Sequence, residues 1–215
     1  MLRSSGYEAV GVDPEAPDGE DYRRVAFEQL EPLQGIDAVV ASTSLHHVVD
    51  PEEVIDRVAS TLTRRGTLVV VEWAWEAFDE PTAQWCFERL GPDEETGWLH
   101  RRRDEWMASG QPWSVSLRDW AQKEQLHPAE TLLRLLDRRF DREHLAQGPY
   151  FFPDLVETTE EDERAAIESG QIRATRVDYV GTAPNAGIRA GAVRRSSGQR
   201  VMSSHRWNET QEARK

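Results

Sequence analysis

Ile36-Asp37-Ala38-Val39-Val40-Ala41-Ser42-Thr43-Ser44-Leu45-His46-His47-Val48-Val49-Asp50-Pro51 decides how this chain is read. A mainly apolar run stops at small hydroxyl residues, two histidines follow, and an Asp-Pro pair opens a new element. An apolar run of this length, bounded by turn residues, reads as a strand covered on both faces. Asp50 caps a helix with Pro51 at its first position. Glu52 and Glu53 fall in its first turn, where the helix dipole favours acids. Val54, Ile55, Val58 and Leu62 recur at helical spacing and form its inner face. Gly66 is predicted to stop it, and residues 67–73 are the next strand. Strand, helix and strand in this order predict a parallel, doubly wound sheet.

Upstream, Glu8-Ala9-Val10-Gly11-Val12-Asp13 is a further strand ending in an acid. Residues 2–6 read as the last turn of a helix with Gly6 as its left-handed stop. Residues 14–21 form a polar loop, and 24–28 is a short strand candidate. The strands 8–13, 24–28, 36–42 and 67–73 are expected in one parallel sheet. Downstream, residues 80–146 turn helical, with helices predicted over 81–90, 98–109, 116–126 and 129–139. Seven of the eight tryptophans lie between Trp73 and Trp120. Phe140 to Phe152 suggests a strand around the Gly148-Pro149 turn. Thr159 caps a helix that Gly170 stops, and Ile172 to Gly181 alternates as a closing strand, antiparallel at the far side of the sheet. These pieces make one domain over 1–182. Residues 183–215 carry seven bases and two acids without periodicity, and read as a disordered basic tail.

A chain of 215 residues can bury a proper core, and its length favours one domain. With 39 acids against 26 bases and a net charge of −13, it repels polyanions, so nucleic acid and anionic membranes are not expected partners. Cys86 is the sole cysteine, which rules out an intrachain disulfide and suits a reducing cytoplasm. Between Trp85 and Phe87 it reads as a small buried hydrophobe. No apolar stretch approaches the roughly 20 residues of a membrane span, and residues 1–6 lack an apolar signal core. A cytoplasmic protein is expected.

Leu45-His46-His47-Val48 with Asp50-Pro51 after one strand, and Leu62-Thr63-Arg64-Arg65-Gly66-Thr67-Leu68-Val69-Val70-Val71-Glu72 into the next, resemble the class I S-adenosylmethionine-dependent methyltransferases of small-molecule type. Ala165 to Gly170 and Tyr179-Val180-Gly181 resemble one branch of them, and the resemblance spans residues 1–182. It implies a Rossmann-like α/β sheet, mostly parallel with an antiparallel terminal strand pair, and a helical insertion at 80–146 serving as substrate or lid region. It also implies S-adenosylmethionine as cofactor and methyl transfer to a small-molecule acceptor. In such chemistry the cofactor carries the reactive group and the protein aligns the reactants. The glycine-rich turn of nucleotide-binding α/β folds lies roughly 20 residues before the acidic ribose ligand. Asp13 has twelve residues in front of it, so the chain is expected to begin past the family's first strand and glycine loop. The alternative is then a truncated, catalytically inactive binding or scaffold protein. A nicotinamide-dependent oxidoreductase would need its own glycine fingerprint.

Asp13, at the carboxyl end of a strand, is the candidate for the ribose diol; its other reading is a turn-initiating Asp before Pro14. Glu28 is the candidate for the adenine amino group, or an exposed acid. Ser42 and Thr43 would touch the cofactor, or pack at the start of the next helix. His46, ahead of His47, would take a proton from the incoming nucleophile; both histidines could instead cap the loop through backbone hydrogen bonds. Glu72 and Trp73 would face the substrate mouth, or reflect polarity at a strand end. Most tryptophans read as core, with Trp73 and Trp75 as pocket candidates. Arg101, Arg102 and Arg103 read as a solvated helix face.

Overall fold

The computed structural model describes residues 6–31, 33–91 and 97–184. The helical turn expected at residues 2–5 and the tail from 185 onward lie outside them. In chain order the elements are β1 (Gly11–Val12), β2 (Tyr22–Arg23), β3 (Ile36–Ser42), α1 (Pro51–Thr61) and β4 (Leu62–Trp73). Then come α2 (Glu80–Phe87), α3 (Trp98–Ser109), α4 (Trp113–Lys123), α5 (Ala129–Arg139), β5 (Asp141–Gly148), α6 (Glu160–Glu168) and β6 (Arg176–Thr182). The fold is α/β and Rossmann-like: β3 pairs β4 in parallel, β6 runs antiparallel to β4, and β5 antiparallel to β6. The terminal antiparallel pair is as expected.

The single sheet is not. β1 and β2 form their own parallel two-stranded ladder, separate from the four-stranded sheet β3-β4-β6-β5. Residues 27–29, which overlap the end of the expected 24–28 strand, make a turn of 3-10 helix, because Phe27 turns in to pack against the core under α1. Arg57 of α1 stands over the Phe27 ring at 6.0 Å.

The sheet has one well-covered face. Leu68 and Val70 of β4 and Tyr179 of β6 pack with Val54, Ile55 and Val58 of α1 and Leu132 and Leu136 of α5. Val69, Val71 and Val180, which alternate with them, stay half-buried, and Val40 of β3 is 62% exposed. The expectation of strands buried on both faces fails for this reason: among the described residues, only one face carries this helix packing. No described helix is long and apolar enough to cross a membrane.

Local signals place the helices well. The Asp50 carboxylate accepts from the N–H groups of Glu52 and Glu53, and Thr159 and Asp162 close a capping box. Gly66 does not stop α1, which ends at Thr61. Leu62 is buried in the same core and begins β4, and the left-handed turn falls on Arg65 at φ 66°. Gly66 is needed for closeness instead, since a Cβ there would meet the Leu62 Cβ and the Thr63 carbonyl at 3.0 Å. The predicted helices at 81–90, 98–109, 116–126 and 129–139 correspond to α2–α5, with α4 starting earlier, at Trp113. The helical stretch stops at Arg139, because Asp141 already belongs to β5.

Candidate active site

Ser42 at the end of β3 is level with Val71 of β4, so the loop after β3 emerges beside Glu72 and Trp73. Thr43 opens that loop with its N–H on the Val71 carbonyl at 2.7 Å and a φ of 47°. A β-branched residue in the left-handed region carries strain on the order of 1–3 kcal/mol and persists only where its surroundings hold it. Glu72 supplies much of that hold. Its Oε1 accepts from the N–H groups of Ser44 (2.8 Å) and Leu45 (2.6 Å). Its Oε2 accepts from the Trp73 N–H at 3.3 Å and lies 2.5 Å from His46 Nδ1. From the other side, the His127 N–H donates to the His46 carbonyl (2.9 Å), and His127 Nε2 donates to the Val48 carbonyl (2.8 Å).

His46 is 4% and Glu72 2% exposed. A buried carboxylate is tolerated only when paired and hydrogen-bonded, and this one has four partners. The His46 ring is tied to a carboxylate, whereas the loop-cap reading had it bonded to backbone. His47 stands at the rim, its ring centroid 4.1 Å from that of His46. Partial burial, with His46 next in weight, lowers the His47 pKa below the ordinary histidine value.

Beyond His46 lies an aromatic cluster centred on Trp73. Ring centroids of Trp98 (5.2 Å), Trp120 (5.9 Å), Tyr150 (5.9 Å, nearly parallel), Phe78 (6.0 Å) and His46 (6.2 Å) surround it. Trp73 is core, not an open pocket wall, yet its indole N–H and that of Trp75 lack an acceptor among the described residues. Arg102 is not part of a solvated face. Its guanidinium covers the Trp120 ring at 4.8 Å and pairs with Glu105. Burial, with Glu72 nearby, raises the Tyr150 hydroxyl to about 12. Burial also pushes the Cys86 thiol far up, which makes it inert, as its apolar context suggested.

A second buried acid, Glu163 of α6, does for the 150–152 loop what Glu72 does for 44–45. Its oxygens accept from the N–H groups of Tyr150 (2.8 Å), Phe151 (2.9 Å) and Phe152 (2.8 Å). Two distant loops are thus each fixed by one carboxylate and meet across Trp73. Glu163 was not anticipated among the four acids at 160–163. Its spacing of three and four from Ala166 and Ile167, which pack in the core, is the signal that it points inward.

The other candidates are more dispersed. Asp13 sits just past β1, at its carboxyl end as expected. Its Oδ1 accepts from the Glu15 N–H at 2.7 Å, so the turn-initiating reading holds for one oxygen, while Oδ2 has no partner among the described residues. Glu28 lies half-buried in the 27–29 turn, and Ser42 is exposed at the end of β3. Among the described residues no hydrogen bond or ion pair joins Asp13, Glu28, Ser42 and His46 to one another. The pair that the fold brings together is His46 with Glu72.

Comparison with curated proteins gives no significant match. Solved structures with a similar course include an S-adenosylmethionine-dependent methyltransferase from Mesorhizobium loti, 18% identical over 84% of this chain and 83% of that one, with a TM-score of 0.47. The N-methyltransferase NodS from Bradyrhizobium japonicum WM9, in complex with S-adenosyl-L-homocysteine, is 13% identical over 77% of this chain, with a TM-score of 0.41. The geranyl diphosphate C-methyltransferase from Streptomyces coelicolor A3(2) is 13% identical over 76% of this chain, with a TM-score of 0.42. The present chain spans 55% and 53% of the lengths of those last two proteins. A family model described as a methyltransferase domain matches residues 1–140 of the 215. On that match the chain belongs to the methyltransferase-domain family.

Proposed function

We propose that this protein binds S-adenosylmethionine and transfers its methyl group to a small-molecule acceptor in the cytoplasm. The observation that carries the reading is the buried His46–Glu72 pair at the shared carboxyl end of the parallel strands β3 and β4, where open α/β sheets bind ligands. Asp13 suits the cofactor's ribose, since its Oδ2 at the end of β1, without a partner among the described residues, can accept from a diol. Glu28 and Ser42 are the further contacts on that side. Held there, S-adenosylmethionine would supply an electrophilic methyl group to the acceptor. His46 accepts the proton of the acceptor's O–H, N–H or S–H group. The rings around Trp73 exclude water and offer an apolar wall.

A binding or scaffold protein without turnover is the second reading. It is favoured by the engagement of Asp13 Oδ1 in its own turn and by the depth of His46. Calorimetry with S-adenosylmethionine, and incubation of isotope-labelled cofactor with p-cresol, benzylamine and thiophenol, test both. Methyl transfer to one of these acceptors is the expected result. Asp13→Ala should weaken cofactor affinity about ten- to a hundredfold. His46→Ala should spare affinity and slow transfer by about a hundredfold or more. Absence of transfer, with or without cofactor binding, would favour the scaffold, and absence of binding would defeat the methyl-transfer reading.

A further inference from the structure

Glu72 is an acid in the middle of a core. Its strand neighbours Val70 and Trp73 are buried, the aromatic cluster stands beside it, and a cavity of about 10 Å³ separates it from Leu132, Leu136 and Tyr179. That space is at the lower limit for one water molecule, so the carboxylate depends on protein groups for its hydrogen bonds. Every partner it has is a donor or can be one. Oε1 takes the N–H groups of Ser44 and Leu45, and Oε2 takes that of Trp73. The remaining contact, 2.5 Å to His46 Nδ1, falls on the same Oε2. An ionised carboxylate only accepts, so Nδ1 must carry its hydrogen toward Glu72.

From this geometry we infer that Glu72 is the positioning residue of the site. It holds His46 as the Nδ1–H tautomer, leaving Nε2 as the ring atom able to take a proton. The inference rests on the reading of His46 as the base. In that step the acceptor's proton moves to Nε2, the electron pair it leaves stays on the acceptor atom, and the imidazolium charge is balanced by Glu72 across the Nδ1–H bond. The same carboxylate makes the base rigid. With Ser44 and Leu45 bound to Oε1 and the His46 carbonyl held by His127, the 45–47 turn is fixed from two sides. The cost of placing Thr43 at a φ of 47° is offset by these same bonds. A histidine that served only as a structural plug would need no carboxylate aligned on one ring nitrogen with its other oxygen committed to the backbone.

Glu72→Gln separates the roles. The amide oxygen still accepts from Ser44 and Leu45, but the amide NH2 facing the ring now donates, so Nδ1 must become the acceptor and Nε2 must carry the hydrogen. In nitrogen-15 spectra of histidine-labelled protein, wild-type His46 is expected as Nδ1–H with Nε2 bare, and the variant with the two reversed. Transfer from S-adenosylmethionine to whichever of p-cresol, benzylamine or thiophenol the wild type methylates should fall by about 10²–10⁴ in the variant, with cofactor affinity unchanged. Adding His46→Ala to Glu72→Gln should cost little more, because the two residues act as one unit. Glu72→Asp, which stays acceptor-only, should retain the wild-type tautomer.

A wild-type spectrum with the hydrogen on Nε2 would overturn the inference whether or not the Gln variant folds. So would a folded Glu72→Gln protein that keeps the wild-type tautomer or rate. If the wild type transfers no methyl group, the proposed function fails, and the tautomer still decides what Glu72 does.

Discussion

Residues 6–42 and residues 73–155 are both supplied with apolar side chains, yet they pack in opposite ways. In the first stretch Ala16 is the one fully buried apolar residue among those described, while Tyr7, Val10, Tyr22 and Val40 are exposed. In the second, Trp73, Phe78, Trp85, Trp113 and Phe151 interlock in a single cluster, and two of the half-covered indoles at its rim, Trp98 and Trp106, donate to Asp154 and to the Gln111 carbonyl. Apolar content does not make a core by itself. The second stretch has four helices to bring side chains together, whereas the first has two-residue strands and one face of β3 without helix packing. The candidate site lies where the two regimes meet, on the loop that leaves β3 and rests on β4.

The sharpest test of this contrast is Trp113→Ala. The side chain is 1% exposed, and its Nε1 donates to the Phe78 carbonyl at 2.6 Å. A loss of about 3–5 kcal/mol in chemical denaturation is expected, against less than about 0.5 kcal/mol for Val40→Thr. Similar losses for both would break the comparison. Cys86 offers a second readout of the same variant. It should resist thiol reagents in the native wild type and become labelled as the Trp113→Ala core opens.

Glu163→Ala comes next. It strands one buried and two partly buried N–H groups in the 150–152 loop, and about 2–4 kcal/mol of destabilisation is expected on the same denaturation curves. Asp50→Ala, at the boundary between the regions, removes only a local cap and should cost about 1 kcal/mol.

The smallest effect concerns His47 at the rim. Its folded pKa is lowered, so the unfolded chain binds a proton first as pH falls. The contribution is fully present above the ordinary value near 6.5 and is lost as pH drops through the window below it. Melting temperatures of the wild type should therefore decline slightly more than those of His47→Gln below about pH 6.5. Solvent screening at the rim keeps the difference small, and Glu72 and Glu124 counteract it. The opposite slope would place His47 in a charge-stabilised setting.

How much of this was legible beforehand follows from how far each interaction reaches. Asp50 caps residues two and three ahead of it, and Thr159 bonds Asp162, so helix starts could be read from neighbouring letters. The apolar face of α1 and the alternation of the closing strand rest on periodicity and the Trp-rich helical layer on composition, so they were readable too, while the antiparallel direction of the closing strands came from the family resemblance. His46 and Asp13 stood out as candidates because of their place at strand ends.

What the tertiary structure alone decided are the pairings across long gaps. Glu72 meets His46 across 26 residues, and Glu163 meets Phe151 across 12. A glutamate in a strand or in an acidic helix start carries no local mark of its partner. The parallel register of β3 against β4 selects His46, and the packing of α6 beside the 150–152 loop selects that backbone. The division into two sheets and the open face around Val40 were likewise hidden. An apolar strand records only that its side chains can be buried, and which face is covered depends on where the helices of the folded chain come to rest.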